Sequence, residues 1–124
     1  MLKKNIYLMA LSCALFTGIS SAATVEALVE LQVGDKVQES TIRIDSEEYT
    51  QVSMKNESLG FALRLHNAQA GNERFETTPT IKGQPIARGF YTGKQFSLGA
   101  GCNLNGQMIE KTLIIKFLNV KHLS

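Results

Sequence analysis

Tryptophan is absent from this 124-residue chain, and cysteine, histidine and proline occur only twice each. Each scarcity excludes something. Zinc normally takes three or four Cys, His or carboxylate ligands, and Cys102, His66 and His122 stand far apart in no ligand spacing, so no metal is expected. The acidic turn Asp45, Glu47, Glu48 lacks the alternating Asp/Asn ligands and the glycine of a calcium loop, and reads as a solvated hairpin turn. There is no GxSxG, no HExxH and no phosphate-binding loop, so neither a catalytic residue nor a cofactor site is assigned, and no enzyme is expected. Asn56-Glu57-Ser58 matches a glycan acceptor, a motif of little weight here. Beyond the first 23 residues no segment keeps a helical period, which removes helical fold classes from consideration.

What is present begins with those 23 residues. Lys3 and Lys4 precede an apolar run from Ile6 to Ile19, and Ser20-Ser21-Ala22-Ala23 supplies small residues for cleavage. Charge, apolar core and small-residue exit in that order make a signal peptide, not a membrane anchor. A spanning helix would need about 20 apolar residues. Residues 24–124 are therefore read as one exported domain of the periplasm or cell surface, without stable membrane insertion. A lipoprotein cleavage at Ala10-Leu11-Ser12-Cys13 is the competing reading. It lacks leucine at the −3 position and has the good downstream site against it.

Cleavage changes two balances. The chain has 13 Lys+Arg and 11 Asp+Glu, and losing Lys3 and Lys4 leaves 11 of each. A neutral domain has no basic footprint, so nucleic acid is not an expected partner. The charges are unevenly spread: residues 24–76 carry ten acids and five bases, residues 77–124 six bases and one acid. That asymmetry reads as solvated faces interleaved by folding, or as acidic and basic patches that meet head to tail. Losing Cys13 leaves Cys102 as a lone thiol in an oxidising compartment, so no intrachain disulfide can form.

The rest of the chain alternates. Val25, Ala27, Val29, Leu31 and Val33 fall on one side of Thr24 to Val33, which is a strand with one buried face. Gly34-Asp35-Lys36 ends it. Further strands are read at Thr41 to Asp45, Tyr49 to Met54, the stretch around Phe61, Leu63 and Leu65, Phe75 to Ile81, Ile86 to Tyr91, Gln95 to Leu98, and Thr112 to Val120. Pro79 cannot donate to a ladder, which puts its strand at a sheet edge or bends it there. The last strand is apolar on both faces, with Leu113, Ile115 and Phe117 opposed to Ile114, Leu118 and Val120, as suits the middle of a sheet. About eight short strands with regular turn signals predict a single all-β domain, a small antiparallel sandwich or barrel. Tyr49 and Tyr91 fall on the polar sides of their strands. They are possible contacts for a sugar or protein surface, or an ordinary cross-strand pair.

Phe96-x-Leu98-x-x-x-Cys102 followed by Leu113-x-Ile115-x-Phe117, on an exported all-β chain of this size, resembles the end of bacterial chaperone–usher fimbrial subunits. The resemblance covers about a third of the chain. It implies an incomplete immunoglobulin-like sandwich whose missing strand comes from a periplasmic chaperone and then from the next subunit. On that analogy Val25, Ala27, Val29, Leu31 and Val33 form the association strand, and Leu113, Ile115 and Phe117 line the acceptor groove. Cys102 without a partner and the ending Lys121-His122-Leu123-Ser124 depart from the family's disulfide and terminal aromatic. The same alternation also fits strand one of a complete sandwich. The expected function is a fimbrial-like structural or adhesive subunit acting by strand or edge association. The alternative is a self-contained periplasmic binding module, such as an enzyme inhibitor or envelope-assembly partner.

Overall fold

Strand β1 (Thr24–Val33) reverses at Gly34-Asp35 into β2 (Lys36–Asp45), with Val33 opposite Lys36. Gly34 sits at φ +61°. A two-residue reversal with a left-handed first residue matches strand twist best, and glycine is the residue that takes this conformation without penalty. The computed structural model describes residues 23–123. Residues 1–22 of the leader, Cys13 among them, lie outside the described residues.

The chain then crosses to a second sheet through β3 (Thr50–Ser53), β4 (Leu59–Asn67), β5 (Arg74–Ile81), β6 (Gln84–Pro85) and β7 (Phe90–Thr92). It returns to the first sheet as β8 (Gln95–Leu98), throws out a small hairpin of β9 (Asn103–Leu104) and β10 (Gln107–Met108), and closes with β11 (Leu113–His122). The first sheet has the order β2-β1-β11-β8 and the second β3-β4-β5-β6, with β7 also on β5. All pairings are antiparallel. The result is the small all-β sandwich that the alternation predicts.

The core lies where the two alternating faces meet. Val25, Ala27, Val29, Leu31 and Val33 are at most 1% exposed, as are Phe61, Leu63 and Phe75 from the second sheet. Phe75 on β5 stacks on Phe117 on β11 at 4.1 Å between ring centroids, tying the sheets together. Phe96 on β8 does the same at the other edge, with Phe61 at 5.9 Å and Phe90 at 4.9 Å. Each fully buried side chain of this size contributes roughly 1.5–3 kcal/mol, so β1 alone anchors much of the fold.

Several features differ from the sequence reading. The strand expected over Ile86 to Tyr91 is strand only from Phe90 onward, and residues 86–89 run irregularly along the sheet. Strand β2 starts at Lys36, not Thr41, because Gln38 and Ser40 occupy its inward positions and conceal the period. Strand β5 is internal, between β4 and the β6/β7 edge. The Pro79 carbonyl accepts from the Ile86 N–H at 3.0 Å, so the side of Pro79 that lacks a donor faces β6 and β7. The ladder breaks there, between Pro85 and Phe90. Finally, the β1–β11 register shifts between Leu28 and Val29, where β11 carries one extra residue. That bulge leaves Leu118 47% exposed and turns Val120 back to pack against the core, not to the face of Ile114.

Candidate functional site

The strand register assembles a polar, aromatic patch on the outer face of the second sheet. Arg64 on β4 lies directly opposite Glu76 on β5, and Glu76 opposite Tyr91 on β7. Period-two alternation turns all three away from the core, and Tyr49 leans in from the connection before β3. The Tyr49 hydroxyl donates to Glu76 Oε2 at 2.7 Å, and Arg64 Nε donates to Oε1 at 3.0 Å. The Arg64 guanidinium lies 4.6 Å from the Tyr49 ring centre, while His66 stacks on Tyr91 at 4.2 Å.

The electrostatics organise this patch and do not poise it for proton transfer. Burial works to raise the Glu76 carboxyl, but the Tyr49 hydroxyl and Arg64 outweigh it and hold the acid below its usual range. The hydrogen bond to Glu76 pushes the Tyr49 phenol up, so it keeps its proton. Each carboxylate oxygen already has a donor. What remains for a ligand is surface: Tyr91 is 61% and Tyr49 46% exposed. Beside them lies a shallow groove of about 360 Å³ between Tyr49, Gln51 and the Pro85–Gly89 segment. Gly89 permits that segment to lie on the sheet, since a Cβ there would come within 2.5 Å of Glu76 Cγ.

A second surface is a strand edge. Sheet edges expose unpaired N–H and C=O groups, and proteins keep them short, bent or covered. Strand β3 and strand β8 have four residues each, and the β6/β7 edge is interrupted. Strand β2 runs for ten residues at the margin of its sheet. Its backbone phase follows from two bonds. The Ser46 N–H donates to the Ala23 carbonyl at 3.0 Å, so even-numbered residues bond β1. Thr50 Oγ1 donates to the Arg43 carbonyl at 2.9 Å, so odd-numbered residues point outward. Val37, Glu39 and Thr41 thus direct both backbone groups away from the sheet, with no backbone partner among the described residues.

The fold distributes the residues singled out in the sequence over several places. Val25, Ala27, Val29, Leu31 and Val33 are brought together with Leu113, Ile115 and Phe117, but within one chain: β1 lies between β2 and β11 and bonds both. Tyr49 and Tyr91 share one exposed face. Cys102 is half-buried, free and packed against the core. The histidines are engaged elsewhere, His66 on Tyr91 and His122 at 2.7 Å from Glu73. Asp45 accepts from Thr24 Oγ1 at 2.9 Å, and no group of three metal-ligating side chains occurs among the described residues. No described helix is long and apolar enough to cross a membrane.

Sequence reasoning missed the Arg64–Glu76 pair and the length of β2. The first needed the β4–β5 register, which sequence spacing does not supply. The second had a signal, since Val37, Glu39, Thr41 and Arg43 alternate with Gln38, Ser40, Ile42 and Ile44, but the apolar period fades at Gln38. Comparison of the chain with protein-family models, curated proteins and solved structures found no match.

Proposed function

We propose that this chain is an exported structural or adhesive subunit, fimbrial-like in its role, that works by protein–protein association along a sheet edge. The observation that carries the reading is the ten-residue margin strand β2, whose outward backbone groups are open at Val37, Glu39 and Thr41. Strand addition at such an edge supplies main-chain hydrogen bonds for affinity and side-chain positions for specificity. Lending β1 to a neighbour is the less favoured form of association, because β1 would have to leave two ladders of its own chain. That same placement favours, as a second reading, the self-contained periplasmic module: β1 completes its own sandwich.

Thr41→Pro tests the edge. The Thr41 N–H points outward, so proline there removes no bond to β1 and only blocks the edge. The protein recovered from the periplasm is expected to show a native mass above that of one chain, alone or with a protein partner. Thr41→Pro should return it to a monomer whose melting temperature matches that of wild type diluted to its monomeric form. An assembly that survives Thr41→Pro, or a wild-type chain that stays single and partner-free at every concentration, would remove this proposal.

A further inference from the structure

Resting on that reading of the edge, we infer that the occupant of β2 is a second copy of this chain, paired antiparallel across a two-fold axis at Thr41. In this register Glu39 of each copy lies opposite Arg43 of the other.

The backbone restricts the choice first. Only the odd-numbered residues of β2 present outward N–H and C=O groups, so a two-fold pairing must set odd against odd. Side chains then choose among the registers that remain. Centring on Glu39 or on Arg43 sets that residue against itself, and centring on Ile42 sets Glu39 against Asp45. Centring on Ser40 pairs Glu39 with Thr41 and Arg43 with Val37, which is neutral. Centring on Thr41 pairs Glu39 with Arg43 twice, with the two threonines between them. Opposite charges directly across a ladder are favourable, like charges are not, and threonine pairs can hydrogen-bond.

Glu39 has no opposite charge across its own ladder, and Arg43, though opposite Glu26 on β1, closes no ion pair with it. Within the chain Glu39 lies opposite Glu30, a like charge, and Glu30 itself reaches Lys116 at 3.7 Å. Neither Glu39 nor Arg43 forms an ion pair among the described residues. A partner's Arg43 against Glu39 relieves the Glu30–Glu39 repulsion that one copy retains. The Arg43 carbonyl already takes the Thr50 hydroxyl, and its second lone pair accepts the partner's Glu39 N–H. On the inner face Ile42, only partly buried in one copy, comes to lie opposite Ser40 of the other. The paired strands join two four-stranded sheets into one, through about six main-chain hydrogen bonds.

Charge reversal tests the register, with sedimentation equilibrium of the exported chain as readout. Wild type should form a dimer that weakens with salt. Glu39→Arg and Arg43→Glu should each weaken self-association roughly tenfold or more, since the symmetry reverses two pairs at once. Mixing the two single variants should restore dimerisation, because both arginines of one copy then face the two glutamates of the other. The double variant Glu39→Arg/Arg43→Glu should also dimerise. Both side chains are solvent-exposed, and recovery on mixing proves that each variant is folded. A dimer indifferent to both reversals, or no rescue on mixing, overturns the register. A chain that binds a different protein in a manner abolished by Thr41→Pro, yet never pairs with itself, overturns this inference and leaves the edge reading standing. A chain whose mass is unaffected by Thr41→Pro overturns both.

Discussion

Three carboxylates show how single residues contribute here. The Glu57 carboxyl is held low by Lys36 at 3.0 Å and then by Lys111 at 3.2 Å. Burial raises Glu73, but His122 and backbone N–H groups, including that of Gly71, outweigh it; Glu76 is lowered by Tyr49 and Arg64 against its own burial. The unfolded chain binds protons to these acids more readily than the folded one. Their contribution is complete above the ordinary carboxylate value of 4.5 and is lost as pH falls through the depressed native values. Urea midpoints should therefore be flat from neutral pH to about 5 and fall below it. Glu76→Gln should cost about 1 kcal/mol at neutral pH and reduce that acid slope. Gly89→Ala is a sharper probe of the same patch. Its Cβ must displace Glu76 or the Thr78 hydroxyl, which lies 2.9 Å away, and a loss of about 1–2 kcal/mol is expected. Gly99→Ala, with open space around it, should be neutral by the same denaturation measurement. None of these contacts was legible in the sequence. Arg64 and Glu76 are twelve residues apart, and only the β4–β5 register makes them neighbours.

At the scale of elements, β1 and β2 differ in what they tolerate. Val29 is fully buried and β1 bonds both neighbours, so Val29→Asp should unfold the domain, a charge without a partner costing several kcal/mol there. Circular dichroism of the purified variant checks this; a folded Val29→Asp would mean that β1 is dispensable to the sandwich. In β2 the phase of the ladder decides the outcome. Ser40→Pro removes an N–H that bonds β1 and should lower stability by at least about 1 kcal/mol, whereas Thr41→Pro should not. The alternation announced β1, and it placed β4, β8 and the buried face of β11 nearly to the residue. It lost the first half of β2, where polar inward residues at a sheet margin look like loop. It also mislaid Val120, since a one-residue bulge changes which face a side chain joins and leaves no mark in the pattern.

For the molecule as a whole, the charge division between the chain's halves largely disappears on folding. The basic C-terminal strand β11 lies beside the acidic β1: Lys116 pairs with Glu30, Lys121 lies opposite Glu26, and Lys111 reaches Glu57. Three of the five described ion pairs join the two halves, which supports interleaving over separate acidic and basic patches. Because residues from both sheets share one core, unfolding should be a single cooperative step. Urea transitions followed by far-ultraviolet dichroism and by tyrosine fluorescence should coincide. Separated midpoints would show that the sheets come apart independently.

The sequence alone determined what can be read from neighbours along the chain. The alternation of Val25 to Val33, the turn residues, the lone Cys102 and the scarcity of metal ligands all act locally or by count. They were enough for an all-β domain. Tertiary structure decided everything that depends on which strand lies beside which. It put β1 between β2 and β11, left β2 as the long open margin, and gathered Tyr49, Arg64, Glu76 and Tyr91 on one face. The physical reason is that strand pairing joins residues far apart in sequence through backbone groups that every residue shares. Register is then settled by packing and turn geometry over the whole sheet, which no short stretch of sequence contains.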